Sequence, residues 1–288
     1  MDALSLGLIV AAALVHATWN LLAKKASGGP IFVFFYSGAT AVIYLPVIFF
    51  VDIFPSGVNP VYVLIAFGAS AILHLAYSLA LQTGYQRANL SIVYPVARGT
   101  GPALSVAGAI LIVGEPVTWS GIAGAVLIVA GVLWIGLGGS KASHAESRVS
   151  TGLFWGALTG LCIAGYTVVD GAVVKLLLLS PIALDYFANL LRLTMLAPVA
   201  LKKRTELKSE WSRYAWLAAV VGALSPLSYI FVLYAMQRAP ISVIAPAREL
   251  SMMVGVFFGW WFMKEPDVWR RLAGAALIAA GVMVLARG

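Results

Sequence analysis

Gln86-Arg87-Ala88-Asn89-Leu90-Ser91-Ile92-Val93-Tyr94-Pro95 returns later in the chain as Gln237-Arg238-Ala239-Pro240-Ile241-Ser242-Val243-Ile244-Ala245-Pro246. Both copies keep the frame Gln-Arg-Ala-x-x-Ser-x-x-x-Pro. Further out, Glu115-Pro116-x-x-Trp119 returns as Glu265-Pro266-x-x-Trp269. Ala123-Gly124-Ala125-x-Leu127-Ile128-x-Ala130-Gly131-Val132 returns as Ala273-Gly274-Ala275-x-Leu277-Ile278-x-Ala280-Gly281-Val282. The chain therefore reads as two related halves, 1–139 and 151–288, joined by a solvated linker at 140–150 that carries Lys141, His144, Glu146 and Arg148. Duplicated halves in an apolar protein place a substrate site on the axis between them.

The composition says that the protein is apolar. Of 288 residues, 61% are hydrophobic and 10% charged, against roughly 25% charged in a soluble domain. The net charge of +8 is not arranged as a basic stripe with interleaved aromatics, so nucleic acid is not an expected partner. A single cysteine, Cys162, cannot form an intrachain disulfide. The first apolar stretch follows Met1-Asp2 without a basic flank, which reads as a retained span and not as a cleaved signal.

Polar and Pro/Gly breaks cut the chain into apolar stretches of about 20 residues, the length that crosses a bilayer core of roughly 30 Å. The pattern predicts helices near 4–23, 32–51, 61–82, 88–113, 118–138, 152–174, 182–201, 214–236, 240–263 and 268–286. That is five per half, and an odd number inverts the second copy relative to the first. The expected fold class is thus an all-α integral membrane protein of ten transmembrane helices, arranged as two inverted five-helix repeats around a central cavity.

Charge fixes the direction. The connections after the odd-numbered spans hold Lys24, Lys25, Arg87, Lys141, Arg148, Lys202, Lys203, Arg204, Lys208, Arg213, Lys264, Arg270 and Arg271, whereas the other side holds Lys175, Arg238 and Arg287. Basic residues are retained in the cytoplasm, so both termini are expected on the outer, periplasmic side of a bacterial inner membrane. The charged run Lys202 to Arg213 reads as the longest cytoplasmic loop.

The tandem Ala-x-x-Ser-x-x-x-Pro entries to spans four and nine, and the Glu-Pro-x-x-Trp turns before spans five and ten, resemble the EamA-type exporters of the drug/metabolite transporter superfamily. The likeness covers almost the whole chain. It implies secondary transport of small metabolites, often amino acids, by alternating access, with no cofactor. It also implies that spans five and ten pack the halves together, as close small-residue contacts suggest independently.

Several ionisable side chains fall at bilayer depth. Counting about 1.5 Å per residue, His16, His74, Arg98, Arg192, Arg248 and Glu249 lie roughly 12 to 20 Å from a surface, while Asp170 and Asp185 are nearer the outer face. A charge at that depth costs at least about 2.5 kcal/mol, so it faces a wet cavity or is paired. His74, Tyr77 and Ser78 share one face of span three. Ser225, Ser228 and Tyr229 match them in span eight. Trp19 and Asn20 in span one, Tyr94 and Arg98 in span four, and Tyr166 in span six complete the candidate substrate-binding set. The aromatic rings would contact an apolar side chain, while Arg98 and His74 engage a carboxylate. Pro95, Pro102 and Pro246 are expected to kink spans four and nine and supply the gating motion.

A second reading treats part of this inventory as permanent buried pairing, in which Arg98 neutralises Glu249 or an outer aspartate. Arg98, Arg192 and Arg248 balance Asp170, Asp185 and Glu249, with Arg192, Arg248, Glu249 and Asp170 the residues assigned to pairing. Asp185, Asn189 and Arg192 share a face of span seven and read as structural.

The leading function is export of amino acids, aromatic or hydrophobic ones favoured. Cationic drugs or other metabolites are the alternative cargo, and proton coupling through a histidine is compatible with either. An intramembrane enzyme or a lipid-handling subunit is the reading from another class. Against an enzyme, the sequence has no Gly-x-Ser-x-Gly, His-Glu-x-x-His or Gly-x-x-x-x-Gly-Lys-Ser/Thr motif, and three isolated histidines with one cysteine make no metal set.

Overall fold

The computed structural model describes residues 1–26, 29–88, 90–137, 146–254 and 268–287. Among the described residues ten helices follow one another: α1 Ala3–Ala26, α2 Gly29–Ile48, α3 Pro60–Arg87, α4 Leu90–Leu111, α5 Trp119–Leu137, α6 Glu146–Leu176, α7 Pro181–Lys202, α8 Arg204–Arg238, α9 Ile241–Ala247 and α10 Val268–Arg287. Six of the described helices (α1, α2, α3, α6, α7 and α8) are long and apolar enough to cross a bilayer, and α5 and α10 hold shorter apolar runs. This is an all-helical integral membrane protein built from two five-helix repeats.

Local chemistry starts several of the helices. Asn59 accepts a hydrogen bond from Val61 N at 2.9 Å and Pro60 fills the first turn of α3, satisfying one orphan donor and removing another. Asp2 caps α1 through Ser5 N at 2.9 Å. Gly114, at φ +78°, turns the chain after α4 and presents Glu115 to the bundle.

The packing repeats under exchange of the halves. α1 lies on α8 as α6 lies on α3, and α2 lies on α8 as α7 lies on α3; α2 meets α7, α4 meets α9 and α5 meets α10 at the axis. The α5–α10 crossing is held by glycines: a Cβ on Gly131 would sit 2.6 Å from Gly274 O, and one on Gly281 would sit 2.7 Å from Gly124 O. Only hydrogen fits between backbones that close.

The structure corrects one expectation and adds detail beside two others. The run Lys202 to Arg213 is not a loop: α8 begins at Arg204 and is 35 residues long. At about 1.5 Å per residue it outruns a bilayer core, so its charged first turns extend the helix past the membrane. α4 is assigned as one unbroken helix through Pro95 and Pro102, while α9 does break, after Pro246, at Ala247. α6 starts at Glu146, inside the stretch read as linker. Residues 138–145, with Lys141 and His144, and the second Glu265-Pro266 lie outside the described residues.

Candidate functional site

Between the repeats lies a cavity of about 310 Å³. The sequence-derived candidates Trp19, Asn20, His74, Tyr77, Ser78, Tyr94, Arg98, Tyr166 and Tyr229 all line it. Depth along each helix was readable from the sequence, and the symmetric packing of α1 and α3 with α8 and α6 turns those positions toward one space.

Tyrosine rings and an imidazole form its wall. His74 stacks on Tyr166 with centroids 4.1 Å apart and meets Tyr229 edge-on at 5.2 Å, while Tyr77 lies edge-on to Tyr166 at 5.8 Å. Trp19 donates its indole N–H to Ser228 Oγ at 3.1 Å and packs edge-on to His16. Ser78 donates to the carbonyl of His74 at 2.9 Å, and Asn20 to that of His16 at 3.0 Å. Beneath the wall, Asp170 is fully buried and its Oδ2 accepts from Tyr229 OH at 2.7 Å and lies 3.1 Å from His74 Nε2.

The three arginines differ in their company. Arg98 Nη2 is 3.0 Å from Glu249 Oε2 and donates to Ser251 Oγ at 3.1 Å. Glu249 is 1% exposed, so this is a buried ion pair between α4 and the segment after α9. Arg248 donates from Nη1 to Thr167 Oγ1 at 3.1 Å and from Nη2 to Tyr166 OH at 3.0 Å, and lies over the rings of Tyr166 and Tyr229 at 5.6 and 5.8 Å. Arg192 donates to Asn189 Oδ1 at 2.7 Å on its own helix. Of the two readings of Arg98, the geometry matches the buried pair with Glu249; the other assigned pairings differ. Glu249 goes to Arg98, Asp170 goes to His74 and Tyr229, and Arg192 and Arg248 hold neutral partners. Arg98 and His74, the expected carboxylate binders, already face the protein's own carboxylates.

The chain tightens after Pro246 where these two side chains diverge. Glu249 N bonds to Pro246 O at 3.0 Å, Ser251 N to Arg248 O at 3.2 Å and Met252 N to Glu249 O at 2.8 Å, an i to i+3 spacing. Such a tight turn separates consecutive side chains by roughly 120°. Arg248 accordingly points to α6, and Glu249 to α4.

The family-model match decides the wider question: the model of the EamA-like transporter family matches residues 3–137 and 150–287. The chain belongs to the EamA-like transporter family. No protein of curated function matches it. A solved structure described only as a crystal structure of a protein is similar in fold, with 18% identity, a TM-score of 0.73, and coverage of 99% of this chain and 96% of that one. For an EamA-like transporter, a cavity between the repeats is the expected seat of a small-molecule substrate.

Sequence reasoning missed Tyr36, Thr40 and Tyr85, which also line the cavity, and treated Asp185 and Arg192 as structural although both line it. Tyr85 is two residues from the end of α3, so the lining reaches the face where the basic connections cluster. The opposite face is crossed by polar contacts. Glu115 accepts from Ile241 N at 2.7 Å, Ser242 N at 2.9 Å and Ser242 Oγ at 2.7 Å, and from Lys175 Nζ at 3.1 Å. Arg238 bridges to Asp2 at 2.7 Å. Burial pushes the Glu115 carboxyl up, but the amides of Ser242 and Ile241, the Ser242 hydroxyl and Lys175 outweigh it and hold the group below its ordinary range.

Proposed function

We propose that this protein exports amino acids or closely similar amphiphilic metabolites across a bacterial inner membrane by alternating access, with both termini outside. The observation that carries the reading is the cavity between the repeats, where tyrosine rings and ionised groups share one space of about 310 Å³. That volume is at the lower end of small-molecule pockets, suited to an aromatic or hydrophobic amino acid. Its lining reaches the basic face while Glu115, Lys175, Ser242, Arg238 and Asp2 tie the other, which corresponds to an inward-facing state. The exchange symmetry of the packing supplies the second state, in which the equivalent contacts close the basic face.

Proton coupling belongs to the same reading, through the His74–Asp170 pair. The groups facing that pair are Tyr166 on α6, Tyr229 on α8 and Asp185 on α7, with Tyr77 and Arg248 behind the Tyr166 ring. Catalysis plays no part in the proposal, and no cofactor is assigned.

The test is counterflow and gradient-driven uptake in proteoliposomes across a panel of amino acids and cationic drugs, with and without a pH gradient. Movement of aromatic or aliphatic amino acids, lost in Tyr77→Ala and Tyr94→Ala proteins of normal yield, is the expected result. A panel in which nothing moves defeats the proposal.

A further inference from the structure

We propose that Arg248 is the seat for a carboxylate on the transported molecule, so that the cargo is an organic acid or amino acid and not an organic cation. The inference rests on the transport reading and names the cargo's head group. A guanidinium at bilayer depth needs a countercharge or water. Arg98 has its countercharge in Glu249, 3.0 Å away. Arg248 has no carboxylate within 4 Å among the described residues: the charge of Glu249, its neighbour in the chain, acts on it only from farther off and is engaged by Arg98, and its hydrogen-bond acceptors are the hydroxyls of Tyr166 and Thr167. Those hydroxyls and the two tyrosine faces solvate the guanidinium without giving it a direct ion pair.

The donor geometry suits a carboxylate. A guanidinium has five N–H groups, and Arg248 spends one on each terminal nitrogen, so a second N–H on each terminal nitrogen remains for a two-pronged bond to a carboxylate. Arg192, lining the same cavity, has a buried Nε without a hydrogen-bond partner and adds a second cation, whose hydrogen bond goes to Asn189 and whose charge Asp185 on the same helix partly offsets. The carboxylates of Asp170 and Glu249 are sealed behind the wall, 0% and 1% exposed. A carboxylate on Arg248 has the stacked Tyr166 and His74 rings beside it, which places the apolar part of an aromatic acid against them. An organic cation would meet Arg248 and Arg192 in the lining, with Asp185 the carboxylate there and already acting on Arg192.

The experiment uses wild-type protein, Arg248→Gln, Arg248→Lys and Arg98→Gln in nanodiscs. Tryptophan fluorescence, to which cavity-lining Trp19 contributes, reports binding of L-phenylalanine, 3-phenylpropionate, L-phenylalaninamide and phenyl phosphate. Both carboxylates should bind wild type, weaken by about 10- to 100-fold in Arg248→Gln and be partly recovered in Arg248→Lys. The amide should bind poorly to all. Without ligand, Arg248→Gln should unfold no earlier than wild type, whereas Arg98→Gln should unfold earlier.

Equal binding of acid and amide, undiminished binding in Arg248→Gln, failure of both carboxylates to bind wild type, or phenyl phosphate outcompeting them would each overturn the assignment. Early unfolding of Arg248→Gln to the extent seen in Arg98→Gln would also count against it. A cationic drug carried equally by wild type and Arg248→Gln would end this inference and leave the transporter standing. Failure of every compound to move in proteoliposomes would instead defeat the transport reading.

Discussion

Arg98 and Glu249 occupy the same place in the two repeats, and their side chains meet at 3.0 Å. The register that lays Gln86 on Gln237 lays Arg98 on Glu249. A duplication would start with one residue at both sites, and like charges facing each other across the axis would repel. Here the two copies carry opposite charge, and the pair ties α4 to the segment after α9.

Removing one member leaves the other charged and buried. Arg98→Gln or Glu249→Gln should each cost about 3–5 kcal/mol, while the double variant should recover most of the loss. The exchange Arg98→Glu with Glu249→Arg should also recover stability, because the positions are equivalent. Thermal unfolding of purified protein reads all four, and single and double variants of equal stability would contradict the pair.

The α5–α10 crossing should reject side-chain volume. Gly131→Leu drives a Cβ toward the Gly274 carbonyl and Gly281→Leu toward that of Gly124, and backbone at 2.6 and 2.7 Å has little freedom to retreat. A loss of at least about 1–3 kcal/mol is expected, seen as aggregation or a lower melting midpoint on size-exclusion and fluorescence traces. Normal behaviour of both variants would mean that the crossing is looser than described.

Glu115 gives a pH signature. Its carboxyl is held below the usual range when folded, so its contribution is fully present above the unfolded value of about 4.3 and fades as pH falls through the folded one. Wild type should therefore be more stable than Glu115→Gln near neutral pH, and the two should converge only as the pH falls through the lowered folded value of the carboxyl. A gap that persists in strong acid would assign the stabilisation to something other than the ionised carboxylate.

The inward-facing assignment predicts labelling from one side. Cys162 is the chain's one cysteine and is half-buried, so a Cys162→Ser background permits single probes at Ser78 and Ser225, which line the cavity. Membrane-impermeant thiol reagents should reach both probes in inside-out vesicles about 10-fold faster than in right-side-out ones, since the tied face admits no reagent. The reverse ratio would invert either the orientation or the state.

Duplication, helix count and the depth of each polar group were already legible in the sequence, because each depends on counting along a helix of fixed rise and on local hydropathy. That is why Trp19, His74, Tyr77, Tyr94, Tyr166 and Tyr229 were recognisable and why all of them line one cavity. Partnership was legible only in part: Arg98 with Glu249 was one of two readings, and the company of Arg248 was not readable. Arg248 and Glu249 are adjacent in sequence and at equal depth, yet one turns to Tyr166 and Thr167 and the other to Arg98. The same blindness turned the charged start of α8 into an expected loop, since charge forbids lipid but not helix. Azimuth about the axis and the company a side chain keeps depend on the tightened turn after Pro246 and on contacts between segments far apart in the chain. Those directions exist only once the helices are packed.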